Sequence, residues 1–315
     1  MADHPINPVV RLTKEEASRI VSAWLGEDRV VTRLWRLTGG CVHTVLEAGI
    51  DGEEWPVILK VSHEPHESSI QTEYDVLRYF RRHTEFRVPE PYACDLSGEV
   101  VPYSWLIMER LEGTHLGDDR VGLAPNDEAR VQLHLANAVG RLHAHTRDSG
   151  FGHCLSRERA VSWPAWFQER TLAEQRAAWE TGLMDEDDRA ACDRAIEAIP
   201  TRLARRVRPT LVHGDLWATN IMVAGRLGRR DVSGFLDPGG LFADPEYELA
   251  YLQIWRTVGE LFLTAYADHQ PLAEGYDTRR LFYWLHTLLL HVRAFKTMYY
   301  AQAATDLIRR LATAV

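Results

Sequence analysis

Residues 210–237 constrain this chain more tightly than any other stretch. Three short apolar runs, Thr210-Leu211-Val212, Ile221-Met222-Val223 and Val232-Ser233-Gly234-Phe235-Leu236, alternate with polar turns. That is the pattern of strand, loop and hairpin rather than of helix. His213-Gly214-Asp215-Leu216-Trp217-Ala218-Thr219-Asn220 joins the first run to the second, and Asp237-Pro238 follows the third. Four residues separate Asp215 from Asn220. A kinase catalytic loop has this spacing between the carboxylate that accepts the substrate hydroxyl proton and the asparagine that holds Mg2+. An aspartate after the next hairpin then holds the metal that bridges the β- and γ-phosphates. Asp, Asn and Gly are common in turns for conformational reasons alone. Both motifs together, each at the edge of an apolar strand, point to phosphoryl transfer. Asp215 is the expected catalytic base, and Asn220 and Asp237 are the expected oxygen ligands of Mg2+.

Upstream residues complete the pattern. Lys60 lies in Val57-Ile58-Leu59-Lys60-Val61, matching the strand lysine that reaches the α/β-phosphates of ATP. Glu73, on a predicted helix, is its expected ion-pair partner, with Glu67 as the other candidate. Gly39 and Gly40, in Thr38-Gly39-Gly40-Cys41-Val42-His43, would let backbone amides approach phosphate. Met108, Glu109 and Leu111 lie at the expected hinge, where backbone groups would meet adenine. Trp217, directly after the base loop, could stack on a sugar ring. Asp244 reads as a helix cap, and either it or Glu248 is placed to brace the catalytic loop. His213 reads as a structural hydrogen-bonder, and His134, His143 and His145 as ordinary helix residues.

The expected fold is α+β, a two-lobe, protein-kinase-like architecture with ATP between the lobes. Residues 1–108 form a small lobe on an antiparallel sheet, and residues 109–315 a larger, mainly helical lobe. In the first, Thr13-Lys14-Glu15-Glu16 is a capping box. Strands are expected at 30–34, 44–48, 55–61, 92–96 and 104–108, with one helix over 69–82. Asp51-Gly52 turns the second strand into the third. In the second lobe, a largely helical pattern is expected from residue 127, with long periodic segments over 246–269 and 278–300.

Composition narrows the partners. At 315 residues the chain can build two cores. A formal charge of −9 argues against a nucleic-acid binder. The basic run from Arg202 to Arg208 reads as a solvated helix end. Cys41, Cys94, Cys154 and Cys192 are too scattered for a zinc site or a disulfide scaffold. The first residues carry no signal-peptide pattern, and the most apolar segment, 281–290, is too short to span a bilayer. A cytoplasmic location, with no membrane partner, is the expectation.

These residues resemble the fructosamine/ketosamine kinase family, within the larger group of aminoglycoside-phosphotransferase-like kinases. The resemblance rests on Gly39-Gly40-Cys41, His213-Gly214-Asp215-Leu216-Trp217, Asp237-Pro238 leading to Glu248-Leu249-Ala250, and Trp163-Pro164-Ala165-Trp166-Phe167. A Leu/Tyr/His-rich helix after Gly275-Tyr276 adds to it, and the likeness runs from about residue 38 to 295. It implies phosphorylation of a small-molecule hydroxyl acceptor with ATP and Mg2+. That acceptor would be a ketosamine such as a fructosyl- or ribulosyl-amine, phosphorylated on its 3-hydroxyl, after which the product breaks down and frees the amine. It further implies that Asp215 matches the base, that Trp217 matches an aromatic beside the sugar, and that Cys41 matches a cysteine some members use for a redox-sensitive intersubunit disulfide. A monomer or a homodimer is expected.

The chain departs from the family pattern where the acceptor would bind. Ala218-Thr219 stands where Ser-Gly is usual, Gly239-Gly240 follows Asp237-Pro238, and the segment before Trp163 is short. An aminoglycoside or another hydroxylated metabolite is therefore the alternative acceptor, with Asp185-Glu186-Asp187-Asp188 as the only acidic run to receive a polycation. A nucleotide-binding pseudokinase is the alternative from another class; the presence of Lys60, Asp215, Asn220 and Asp237 together argues against it.

Overall fold

Thr13 and Glu16 form the expected reciprocal cap. Thr13 Oγ1 accepts the Glu16 N–H at 3.1 Å, and a Glu16 carboxylate oxygen accepts the Thr13 N–H at 2.8 Å. The computed structural model describes residues 8–37, 42–118 and 121–314. The helix so started, α1 (Lys14–Leu25), buries Ala17, Ile20 and Val21 and ends at Gly26 in the left-handed region.

The strands that follow are β1 (Val31–Arg36), β2 (Thr44–Ile50), β3 (Val57–Val61), β4 (Pro91–Asp95) and β5 (Trp105–Glu109). They pair antiparallel in the order β1-β2-β3-β5-β4. Every residue of the central strand β3 is buried, and side chains alternate between the faces of a strand. Val57, Leu59 and Val61 join Ile20, Val21, Leu46 and Ile107 in one apolar core. Lys60 is thereby turned to the opposite face with Ile58. Helix α2 (Ser68–His83) buries Ile70, Val76, Leu77 and Phe80. Glu73 lies three residues after Ile70 and four before Leu77, so it shares their inward face.

The compact unit containing this sheet extends to Asp127 and includes Thr219–Gly239; Glu128–Ala218 and the chain from Gly240 onward form the second. The division expected between residues 108 and 109 is thus replaced by one between 127 and 128. The cause is pairing across a long sequence separation. Strands β6 (Thr114–His115), β9 (Ile221–Ala224) and β10 (Asp231–Phe235) form a sheet in the order β10-β9-β6. Before β6, Gly113 comes so close to β9 that a Cβ there would lie 2.2 Å from the Val223 carbonyl oxygen. Buried Asp127 accepts the backbone N–H groups of Gly228 and Arg230 at 2.7 and 3.0 Å, tying itself to the same hairpin.

In the second unit, β7 (Gly152–His153), β8 (Thr210–Val212) and β11 (Leu241–Ala243) form a small antiparallel sheet in the order β7-β11-β8. The helices are α3 (Pro125–His143), α4 (Trp163–Glu180), α5 (Arg189–Arg202), α6 (Pro245–Ile254), α7 (Glu260–Ala267), α8 (Tyr276–Phe295) and α9 (Met298–Ala314). Their main core gathers Trp163, Phe167, Ile196, Ile199, Phe282, Leu285 and Ile308. Asp185 caps the turn before α5, and Asp188 pairs with Arg309 at 3.0 Å, so the acidic run is held structurally.

The two long helices expected over 246–269 and 278–300 are each broken. After α6, Arg256 adopts φ 52°, and the Thr257 N–H donates to the Leu252 carbonyl at 2.9 Å. The Arg256 N–H donates to that of Gln253 at 3.0 Å. This is a Schellman stop built on arginine instead of glycine. Lys296, φ 50°, separates α8 from α9 in the same region of backbone space. Among the described residues no helix is long and apolar enough to cross a membrane.

Candidate active site

In the first unit, the Lys60 ammonium lies 2.7 Å from the Glu73 carboxylate and 2.8 Å from Asp237 Oδ1. Glu73, rather than Glu67, is the partner; Glu67 instead caps α2 by accepting the Ser69 N–H. Burial acts to lower the pKa of Lys60, but the charges of Asp237 and Glu73 outweigh it and hold the ammonium above the usual lysine value. Burial also raises Glu73 above the ordinary carboxylate range, opposed by Lys60 and reinforced by Asp237.

The Asp237 backbone has φ 53°. A side chain with a Cβ seldom adopts that conformation, and residues held there cluster at ligand sites. Its side chain is 47% exposed, against 9% for Lys60. Asn220 is buried at the end of a single 3-10 turn, Ala218–Asn220. Its carbonyl accepts the Leu236 N–H at 2.8 Å, so the residue before Asp237 is fastened to Asn220. The donors here are oxygens, with one carboxylate and one amide, a set suited to a Mg2+ ion that completes its shell with phosphate oxygens and water.

His115, on β6, hydrogen-bonds through Nδ1 to the Thr219 carbonyl, one residue before Asn220. No sequence pattern marks this contact, because the two-residue β6 leaves no periodic trace. At the expected hinge, Met108 and Leu111 are buried. The Glu109 carboxylate is occupied by Arg87 at 2.8 Å and by the Glu90 N–H at 3.0 Å. Gly39 and Gly40 lie outside the described residues, as does Cys41.

In the second unit, Asp215 follows β8 in a loop held from several sides. Gly214 adopts φ 90°, which explains a glycine beside Asp215. Its N–H donates to Glu248 Oε1 at 2.9 Å. The other Glu248 oxygen meets His143 Nε2 at 2.9 Å, and His143 Nδ1 meets the Tyr266 hydroxyl at 2.7 Å. Of the two bracing candidates, Glu248 is the one bonded to the loop. Asp244 caps α6 by accepting the Glu246 N–H at 2.9 Å, and it also binds Arg205 and the Tyr283 hydroxyl. His213 is fully buried; its Nδ1 accepts the Asp215 N–H at 3.2 Å, and its carbonyl accepts the Gly240 N–H.

The Asp215 carboxylate itself accepts a hydrogen bond from the Tyr251 hydroxyl at 2.5 Å. No sequence motif had marked Tyr251. Its one available signal is position: it lies three residues after Glu248 on α6, where two side chains share a helix face. Trp217 is half-buried, with its ring 6.4 Å from that of Trp255.

The family model for fructosamine kinase matches residues 13–313. The chain belongs to this family. It is 26% identical over 302 residues to a probable ketoamine kinase of Vibrio cholerae, covering 92% of this chain and 96% of that one. Its fold is similar to the crystal structure of a candidate fructosamine-3-kinase from Haemophilus somnus. That likeness has TM-score 0.75 and 20% identity, and it covers 94% of this chain and 97% of the other. It is similar, too, to a thermostable aminoglycoside phosphotransferase mutant solved with AMP-PNP and hygromycin B. There the TM-score is 0.69 and the identity 19%, over 95% of this chain and 98% of that one. The expected α+β, two-lobe, kinase-like fold is therefore borne out, and membership of the family makes the chain a small-molecule phosphotransferase.

Proposed function

We propose that this fructosamine kinase family member transfers the γ-phosphate of ATP, with Mg2+, to a sugar hydroxyl of a ketosamine. The observation that carries the phosphoryl-transfer half is the Lys60 ammonium held between Glu73 and Asp237. A lysine fixed on a central strand and pinned by a helix glutamate is the part that grips α/β-phosphates in kinases. The 2.8 Å contact between Lys60 and Asp237 supports a metal ligand at the same point. Mg2+, when bound, supplies neutralisation of the β- and γ-phosphate charge, with Asn220 and Asp237 as its protein ligands.

The Asp215 carboxylate orients the acceptor hydroxyl and takes its proton. As the acceptor oxygen bonds to the γ-phosphorus, the bond from that phosphorus to the β–γ bridging oxygen breaks, and ADP leaves with the electron pair. Gly39 and Gly40 are assigned to the phosphates, the backbone at Met108, Glu109 and Leu111 to adenine, and Trp217 to the sugar.

The ketosamine acceptor rests on the family and on the ketoamine kinase relatives. The acidic run that an aminoglycoside would need is already engaged, Asp185 in a cap and Asp188 with Arg309. Acceptor-dependent ADP release from ATP and Mg2+, compared for ribulosyl-lysine, fructosyl-lysine and kanamycin, tests the assignment. Turnover on either ketosamine is expected. Turnover on kanamycin alone would move the acceptor to aminoglycosides, and nucleotide binding with silence on every acceptor would favour the pseudokinase reading.

A further inference from the structure

We propose that the Tyr251 hydroxyl is a positioning residue for phosphoryl transfer, fixing the Asp215 carboxylate in the orientation from which it receives the acceptor's proton. This rests on the assignment of Asp215 as the base. The hydroxyl donates to Asp215 Oδ1 at 2.5 Å. Tyr251 is 8% exposed, so water competes poorly for its hydrogen bond.

The same helix reaches the loop twice. Glu248 holds the Gly214 backbone, and Tyr251, one turn later, holds the Asp215 side chain. Two contacts from one rigid element fix both where the carboxylate sits and how it is turned. A displaced carboxylate would lose rate steeply, since transfer depends on near-attack geometry.

Direction matters as much as distance. Burial and then the Asp215 charge hold the Tyr251 phenol well above its usual range, and burial and Asp215 likewise raise that of Tyr247. Tyr251 therefore stays a proton donor through the neutral range, and its hydrogen bond favours the ionised carboxylate, the form that can accept a proton. Glu248 and Tyr247 are the other titratable side chains that α6 brings towards the loop, with His213 behind it.

The ordinary alternative is that a buried tyrosine has satisfied its hydroxyl with the nearest acceptor while its ring packs on Trp255, 6.0 Å away. A packing role and a positioning role separate in a double-mutant cycle. Tyr251→Phe keeps the ring and removes only the donor. In the full-length protein, kcat should fall roughly 10- to 100-fold, the scale of a hydrogen bond to a charged group. The KM for ATP should stay within about twofold, because only the base is disturbed. The acid limb of the kcat/KM profile should move to higher pH, because the lost donor favoured the ionised form. Combined with Asp215→Asn, the change should cost less than about twofold more, because the group it positions has lost its function.

An equal fold-loss in both backgrounds, or a wild-type kcat with an unmoved acid limb, would overturn the proposal while leaving the base assignment standing. Near-wild-type turnover by Asp215→Asn alone would overturn the base assignment, and the role of Tyr251 with it. Should Tyr251→Phe not fold, Tyr251→Met, which likewise removes the donor, gives the same cycle. A further loss in the Asp215→Asn background equal to that in the wild type would count against positioning.

Discussion

Replacing Glu248 by alanine should loosen the loop at Gly214 and Asp215 and destabilise the second unit together. Its side chain is fully buried and joins two groups that do not otherwise meet, the Gly214 N–H and His143. Alanine leaves the imidazole nitrogen, in a side chain only 1% exposed, without a partner. An unsatisfied buried polar group costs about 1–3 kcal/mol. The Gly214 N–H is only part-buried and can recruit water, so its loss adds about 0.5–1.5 kcal/mol. The sum is about 1.5–4.5 kcal/mol, or roughly 3–18 °C in melting temperature at about 2–4 °C per kcal/mol.

Glu248→Gln is the control. Its oxygen can still accept from Gly214, and its amide can donate to His143 Nε2 once the ring proton sits on Nδ1 and points to the Tyr266 hydroxyl. That hydroxyl can then turn its own proton to Gln270, 3.4 Å away. Glutamine should therefore cost less than about 1 kcal/mol, since every hydrogen bond is kept. Differential scanning calorimetry gives the melting shift. Hydrogen exchange, followed on a peptide spanning Gly214, gives the loop, and exchange there should speed up in the alanine variant only. Alanine and glutamine variants with the same melting temperature and unchanged protection at Gly214 would refute the reasoning.

Lys60→Met should weaken binding of AMP-PNP with Mg2+ by roughly 10- to 100-fold, through loss of a charge-assisted contact to phosphate; unchanged affinity by isothermal titration would remove Lys60 from the nucleotide site. Buried His286, whose Nδ1 lies 3.2 Å from the Thr171 hydroxyl, is pushed down by burial to about 3. Its proton binds the unfolded chain first as pH falls below about 6.5, so stability should drop from there towards pH 3, by up to about 1.4 kcal/mol per pH unit for this one group. His286→Gln should flatten that slope, and denaturant midpoints that fall equally in both proteins between pH 7 and 5 would contradict it.

What could be read from the sequence was whatever repeats at short range. The apolar run Val57-Ile58-Leu59-Lys60-Val61 marked Lys60 as a strand lysine, and Glu73 fell on the helix expected over 69–82. The cap at Thr13 was visible because its partners are three residues apart. The breaks after α6 and α8 were not, because Arg256 and Lys296 take a left-handed conformation that ordinarily advertises itself with glycine. The β6–β9 pairing, which moves the boundary between the units, joins a two-residue strand to one about a hundred residues later and has no local signature. Tyr251 was hidden for a related reason. It reaches Asp215 across 36 residues of sequence, and only the course of α6 brings the two together.

The most direct test of the central claim is mass analysis of the acceptor after incubation of ribulosyl-lysine with ATP, Mg2+ and either the wild-type protein or Asp215→Asn. The wild type should add one phosphoryl group to the sugar. The variant should still bind nucleotide but transfer at least about 100-fold more slowly, the low end of general-base contributions. Equal transfer by both proteins would show that Asp215 is not the base. Unmodified ribulosyl-lysine and fructosyl-lysine from an active, nucleotide-binding wild type would show that the acceptor is not a ketosamine.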